Sequence, residues 1–530
     1  MVMMIKPIEE GAVVNGKDEQ HREGVAAATP YSVRQTIGLF VGLGALIILL
    51  WLPPPQGMDL SAWRTAAVVA LMAIWWITEA VHLSVTAFVP LILFPVLDIL
   101  SAQAVSSAYA DQIVFLFFGA FFIALAMEQW GLHRRAALLI LSRIGRSPQL
   151  LILGVLSTTA WLSMWVSNTA ATVIMLPIAL AILNHATAQG YDTRRGFGVA
   201  LMLGLAYSAS IGGVSTPVGT PPNAVFLGAF GRLFPEGPSF GFFRWMLFGV
   251  PTAAFMVFCT WVYLVYVRCR VPTSGWQEDR TFLSHQLQEL GPMHSAERRV
   301  LLLALTTVML WMFREDLQLG VVTLPGWANL FPSPEKIKDS TVAMFMALLL
   351  FVIPTGHKQG TFLLDQAIFV RIPWSILVLL GGSLALAEGV GSSGLAAWIG
   401  AQLTFLRHVS PMIAIFSVCF LLVWLTEFTS NTATTTLMMP VLAATAAGLH
   451  IDPLLLMIPA TFAASFAFML PTATAPNAII FASGYVTLPQ MFWAGAGLNL
   501  IGVVLLTLLI YLLGVPVFDI SLTAVPQWAY

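Results

Sequence analysis

The sequence predicts an all-α polytopic membrane protein. Three observations carry that expectation: a composition too apolar for water, apolar runs long enough to span a bilayer, and a polar motif that occurs once in each half. Of 530 residues, 58% are hydrophobic and 9% charged, and mean hydropathy is +0.85. A soluble domain carries about 25% charged residues. The net charge of −1 leaves no basic footprint for nucleic acid. Cys259, Cys269 and Cys419 lack the spacing of a disulfide framework or a zinc site. The apolar runs are continuous, not alternating segments of about ten residues, which argues against a β-barrel.

A spanning helix needs roughly 20 mostly apolar residues. Eleven such runs are read at 36–53, 62–79, 82–100, 112–130, 196–231, 242–268, 298–315, 340–356, 373–391, 454–485 and 491–515. Residues 1–35 are mixed and charged. They read as a cytosolic tail, not a cleavable signal, because the first apolar run begins near Thr36. Two further stretches, 149–186 and 411–447, are too long for one span and carry polar residues near their middles. Each follows an amphipathic piece, 134–146 and 395–407. They are expected to be re-entrant hairpins that enter and leave on one side, their irregular tips covered by protein. Eleven spans with two such hairpins place the N-terminus in the cytosol and the C-terminus outside. Lys and Arg then divide 17 to 7 in favour of the cytosolic segments, as the positive-inside rule requires.

The repeat lies in the hairpins. Residues 167–179 read SNTAATVIMLPIA and residues 430–442 read SNTATTTLMMPVL, aligned at a constant offset of 263. A second pair follows each copy, Gly219-Thr220-Pro221-Pro222-Asn223 and Ala473-Thr474-Ala475-Pro476-Asn477. Each half therefore combines a polar tip with a helix expected to be interrupted at Pro-Asn. An odd number of spans separates the corresponding points, so the second half is inverted. Inverted repeats with matched broken helices are the signature of a secondary transporter with its site at the midplane.

Ser and Thr hydroxyls, Asn carbonyls and freed backbone carbonyls are hard oxygen donors suited to an alkali cation. Half-helix N-termini and amide N–H groups suit an oxyanion. No Lys or Arg lies in either motif, so a bound dianion would be balanced by cations and helix dipoles, which makes cation coupling electrostatically sensible. Ser163 and Thr426, four residues before the repeated serines, fall one helical turn away on the same face. Glu79, Glu128, Glu388 and Glu427 sit in apolar surroundings, where an ionisable group is a functional candidate. Glu427, three residues before Ser430, is the leading one, with a structural hydrogen-bonding role as the competing reading. His82 and Trp165 read as packing groups. No HExxH motif or paired Asp suits an intramembrane enzyme, and an anion channel would not need two oxygen clusters of cation type.

The paired SNT motifs, the GTPPN segment and residues 467–481 resemble the divalent anion:sodium symporters, the dicarboxylate/citrate/sulfate transporter family. The likeness covers nearly the whole chain beyond residue 36. It implies eleven transmembrane helices plus two hairpins, in a homodimer whose scaffold holds an elevator-like transport domain. Scaffold parts would be 36–146 and 298–408, transport halves 147–268 and 409–530, and 269–297 a cytosolic linker. Carried over by residue, one sodium site would use Ser163, Ser167, Asn168 and Gly219, and the other Thr426, Thr429, Asn431 and Ala473. Substrate would meet Asn168, Thr169, Thr220, Ser430, Asn431, Thr432 and Thr474. Two positions depart from the family pattern: Ala475 replaces the first proline of an ATPPN segment, and Thr472 stands where an aliphatic residue is usual.

The resulting expectation is sodium-coupled uptake of C4-dicarboxylates such as succinate, malate or fumarate across the cell membrane. Sodium is the co-transported ion, with no organic cofactor, and the partners are the dianion, the lipid bilayer and a second copy of the chain. Two alternatives stay open at this point: sodium-independent dicarboxylate exchange, and symport of another dianion such as sulfate or citrate. Hinge motion would fall at Gly145, Gly389, Gly391 or Gly394, beside the amphipathic arms.

Overall fold

The structure, a computed structural model, describes residues 31–143, 147–273, 281–319, 322–356, 361–405, 409–522 and 524–529. These are almost entirely helical, apart from one antiparallel hairpin of β1 (Leu317–Leu319) and β2 (Val322–Leu324). Most of the expected tail, and Gly145 among the hinge glycines, lie outside the described residues. Eight helical stretches are long and apolar enough to cross a bilayer, and six shorter apolar helices accompany them. The chain is a multi-pass membrane protein.

The first helices form antiparallel partners, α1 (Val33–Trp51) and α2 (Leu60–Thr78). Gly38 and Gly42, one turn apart, let them approach: a Cβ on Gly38 would fall 2.0 Å from the Thr78 hydroxyl, and one on Gly42 2.6 Å from Trp75. The expected single span 82–100 is instead two short helices, α3 (Leu83–Thr86) and α4 (Val89–Val96). Pro90 explains the division, since its missing N–H and its ring fit only the first turn of a helix. Next come α5 (Ala102–Tyr109), which the apolar pattern did not reveal, α6 (Gln112–Gln129) and α7 (Leu132–Leu141). The first hairpin is α8 (Pro148–Ser163) and α9 (Asn168–Ala188), followed by α10 (Gly198–Gly213), α11 (Pro221–Leu233) and α12 (Phe242–Val262). The expected linker contains α13 (Thr281–Glu289) and the start of α14 (Ser295–Met312). Then follow α15 (Asp339–Val352), α16 (Trp374–Ser392) and α17 (Leu395–Gln402). The second hairpin is α18 (Pro411–Leu425) and α19 (Asn431–Leu449). After it come α20 (Leu454–Ala463), α21 (Ala475–Ala482), α22 (Leu488–Leu509) and α23 (Val515–Phe518).

The offset of 263 extends well beyond the SNT motif. Gly131 and Gly394, both at positive φ, start α7 and α17. Ser147 and Ser410 cap α8 and α18, each with proline at the first helical position. Both interrupted spans break before the Pro-Asn pair and not at it. Pro221 and Pro222 open α11, and Pro476 is in the first turn of α21, because proline at the start of a helix removes only an N–H that has no intrahelical partner. The halves interlock: α11 packs on α19 of the other half, and α21 on α9 and α10. Where α11 meets α6 and α16, Arg232 pairs with Asp111 at 2.9 Å and Glu388 at 3.0 Å.

The break after α20 has its own brace. Glu427 is 1% exposed. Its carboxylate accepts from the backbone N–H groups of Phe468, Met469 and Leu470 at 2.7–3.1 Å, and from Asn499 Nδ2 of α22 at 2.7 Å. Glu427 thus supports the unwound segment, the structural alternative of the two readings. Each buried donor left unpaired costs about 1–3 kcal/mol. Glu427→Ala is expected to lower the melting temperature of the purified protein sharply, with Glu427→Gln in between, as read by tryptophan fluorescence on heating in detergent. An unchanged melting curve for the alanine variant would show that the segment does not depend on this carboxylate.

Candidate functional site

Each hairpin reverses in a few residues, and the two tips are built alike. In the first, Ser167 is the extended cap of α9, its hydroxyl accepting from the Ala170 N–H at 3.2 Å. Behind it, the fully buried Ser163 hydroxyl lies 2.8 Å from Asn168 Oδ1 and 2.6 Å from the Ala209 carbonyl of α10. In the second, the Thr426 hydroxyl lies 2.7 Å from Asn431 Oδ1 and 2.8 Å from the Ala464 carbonyl beyond α20. A hydroxyl carries one proton and can satisfy only one of two acceptors. In each half, therefore, three oxygens converge with a single proton among them, a donor set that suits a hard cation. Gly213 makes the first cluster possible, since a Cβ there would stand 2.4 Å from Asn168 Oδ1.

The breaks beside the tips are held alike as well. Asn223 Nδ2 donates to the carbonyls of Gly213 and Thr216, and Asn477 Nδ2 to those of Ala467 and Leu470. The Oδ1 atoms of both, and the hydroxyls of Ser210 and Ser465, are buried without a hydrogen-bond partner. These orphans fall at matching places in the two halves, so the oxygen-rich character is shared.

One cavity of about 590 Å³ lies between the tips. Ser167, Asn168, Thr169, Gly219 and Thr220 line it from the first half, and Thr429, Ser430, Asn431, Thr432, Ala473 and Thr474 from the second. Every expected site residue is in this wall except Ser163 and Thr426, which stand buried behind the tips. Thr472 and Ala475, the two departures, also line it. Four helix N-termini meet here, those of α9, α11, α19 and α21, each a locus of positive potential. The prolines that open α11 remove its first donors, whereas Ala475 restores an N–H at the first position of α21.

Two charged residues share the wall. Glu79, singled out from sequence, ends α2 in the left-handed region at φ 52°. Arg34, in the first turn of α1, escaped sequence reasoning because nothing in its neighbourhood marks it and only the fold carries it to the tips. The other acidic candidates lie elsewhere: Glu128 pairs with Arg371 at 2.6 Å, and Glu388 with Arg232. Trp165 stacks on Phe242, a packing role as expected, whereas His82 is exposed and caps α3, its ring hydrogen-bonding to Ser84 instead of packing. A second cavity of about 540 Å³ is lined by Arg244, Arg314, Glu315, Asp316 and Asp519, most of whose charges are already paired. Among the described residues no three His, Cys, Asp or Glu side chains cluster as metal ligands.

Comparison with known proteins agrees with this architecture. Residues 34–520 match the family model described as the sodium:sulfate symporter transmembrane region. A protein named sodium-dependent dicarboxylate transporter SdcS from Staphylococcus saprophyticus is 39% identical over 499 residues, covering 93% of this chain and 94% of its own. Its namesake from Staphylococcus aureus strain RF122 is 39% identical over 488 residues, covering 91% and 92%. Among solved structures, Neisseria gonorrhoeae MtrF, described within a class of antimetabolite efflux pumps, aligns with TM-score 0.55 and 12% identity over 96% of this chain and 99% of its own. That likeness concerns the fold alone. The chain is a membrane transporter and not an enzyme, and it belongs to the divalent anion:sodium symporter family.

Proposed function

We propose that this protein couples sodium entry to the uptake of C4-dicarboxylates such as succinate, malate and fumarate across the cytoplasmic membrane. The observation that carries the reading is the matched pair of oxygen clusters, Ser163–Asn168–Ala209 and Thr426–Asn431–Ala464, flanking one cavity. Each cluster takes one sodium ion, with Ser167, Gly219, Thr429 and Ala473 completing the shells. The bound cations and the helix N-termini then offset a dianion held by Asn168, Thr169 and Thr220 on one side and Ser430, Asn431, Thr432 and Thr474 on the other. Two equivalent donor sets favour an anion with two separate carboxylates over a single-centre oxyanion such as sulfate. The names of the Staphylococcus relatives support both the sodium and the dicarboxylate.

The functional unit is a homodimer with the N-terminus in the cytosol and the C-terminus outside. Hairpins and broken helices move as a body against α6, α15 and α16 in an elevator, with Gly131 and Gly394 beside the arms α7 and α17. The direct test is labelled succinate uptake into proteoliposomes with sodium, potassium or internal dicarboxylate varied in turn. Uptake that needs sodium supports symport, and uptake that needs only internal dicarboxylate replaces it with exchange.

Three further outcomes are expected. Asn168→Ala and Asn431→Ala each remove a charge-assisted contact worth about 1.5–3 kcal/mol, so each raises the half-saturating succinate concentration by about 10- to 100-fold or abolishes uptake. Near-normal uptake by either would place the substrate elsewhere. Ser163→Ala and Thr426→Ala are expected to raise the half-saturating sodium concentration while leaving succinate affinity at saturating sodium nearly unchanged. Unaltered sodium dependence in both would remove sodium from the clusters. Phe428, 65% exposed at the second tip, suits a probe of motion. In a chain lacking Cys259, Cys269 and Cys419, labelling of Phe428→Cys by a membrane-impermeant thiol reagent should change when sodium and succinate are added. Labelling of Gln56→Cys, in the α1–α2 connection, should stay constant. A constant rate at Phe428→Cys would argue against a moving site.

A further inference from the structure

The two tips carry no charged side chain, yet the wall of the cavity between them holds one charge of each sign. Arg34 and Glu79 both line it, from the first turn of α1 and the last of α2. Because α1 and α2 run antiparallel, these two ends lie together at the membrane face from which the chain enters α1. The cavity therefore reaches that face, and its mouth carries one guanidinium and one carboxylate. Arg34 Nη2 donates to the Ile77 carbonyl at 2.7 Å, which anchors the side chain to the end of α2. A guanidinium has five donors, so most remain for a ligand. Among the described residues neither Arg34 nor Glu79 forms an ion pair, so the Arg34 charge is not cancelled by a direct contact. Arginine stays ionised at any physiological pH. A charge at the mouth of a cleft attracts an approaching ion of opposite sign and repels one of like sign, so Arg34 and Glu79 act on an anion there in opposite directions.

We infer that Arg34 is a specificity-determining residue of the N-terminal face: it meets the dicarboxylate at the mouth of the cavity before the tips bind it, and Glu79 opposes it. This rests on the proposed dicarboxylate transport. It makes the two faces of the transporter unequal. A dianion approaching from the N-terminal side passes the Arg34 guanidinium and the Glu79 carboxylate, whereas one delivered from the opposite side meets the tips without either. The placement is also conformational information, because α1 and α2 belong to the expected scaffold while the tips belong to the moving part. Arg34 shares the cavity only while the site opens to that face.

The test compares labelled succinate transport in right-side-out and everted membrane vesicles, with the N-terminal face identified by protease access to an N-terminal tag. Arg34→Gln keeps a donor for the Ile77 carbonyl and removes the charge. It is expected to raise the half-saturating succinate concentration about three- to tenfold at the N-terminal face, by the field effect of one charge in a cleft, and to leave the opposite face unchanged. Arg34→Lys restores the wild-type value, and Glu79→Gln lowers it at the same face. The difference between wild type and Arg34→Gln at that face should shrink as ionic strength rises, since salt screens an exposed charge over about 10 Å at 0.1 M. Equal change at both faces would overturn the inference by making Arg34 a support for α1 and α2. No change at either face would overturn it by removing the guanidinium from the path. An unmutated chain that moves no dicarboxylate would overturn the proposed function itself, and this inference with it.

Discussion

A helix broken inside a bilayer exposes carbonyl and N–H groups that no water can satisfy, and the unusual features of this chain answer for those groups. Without a partner each such group costs several kcal/mol in hydrocarbon. The chain closes the two breaks with Asn223 and Asn477, whose amides donate to carbonyls on the preceding backbone. It hands other carbonyls, those of Ala209 and Ala464, to the hydroxyls of Ser163 and Thr426. The groups that stabilise the breaks and the groups that form the oxygen clusters are neighbours in the same few residues. Structure and chemistry draw on one supply of polar atoms, which explains why both tips repeat the same residues and not merely the same polarity.

The two halves nevertheless solve the problem with different means. The first unwound segment is held by neutral donors: Thr216 to the Met164 carbonyl at 2.6 Å and Trp245 to the Val214 carbonyl at 3.0 Å. The second is held by the carboxylate of Glu427, and the repeat offset places Met164 at the corresponding position in the first half. A buried carboxyl group that accepts from three consecutive backbone N–H groups ties down the segment 468–470 at more points than a single hydroxyl could. The pair Pro221 and Ala475 adds a second inequality, one more N–H in the second half. Matched oxygen clusters thus rest on differently built supports, with one extra N–H on the second side.

Much of this was legible in the sequence, and for identifiable reasons. The hairpins and broken helices carry polar residues inside apolar runs, a local signal that needs no tertiary information, and the structure gathers Asn168, Asn431 and their neighbours around one cavity. Proline was read with less success. Pro90 divides an expected span, and Pro221 and Pro222 start a helix where an interruption was expected, because a proline's effect depends on whether it falls inside a helix or at its first turn. Arg34 was illegible: its position in the cavity follows from the pairing of α1 with α2 and from where that pair sits against the tips. Glu427 was noticed for its place in the sequence, but its role depends on the backbone of residues some forty positions later.

The interlocking of the halves has a consequence for synthesis. The second helix of the first hairpin, α9, rests on α21, which begins about 300 residues further along the chain. At roughly 5–20 residues per second of translation, the first tip waits on the order of 15–60 s for the surface that covers it. The Ser167 hydroxyl on the Ala170 N–H and the Thr172 hydroxyl on the Asn168 carbonyl are contacts within the hairpin itself, available before the second half exists. They are polar contacts that the first hairpin can make from its own residues, ahead of the surface that α21 supplies.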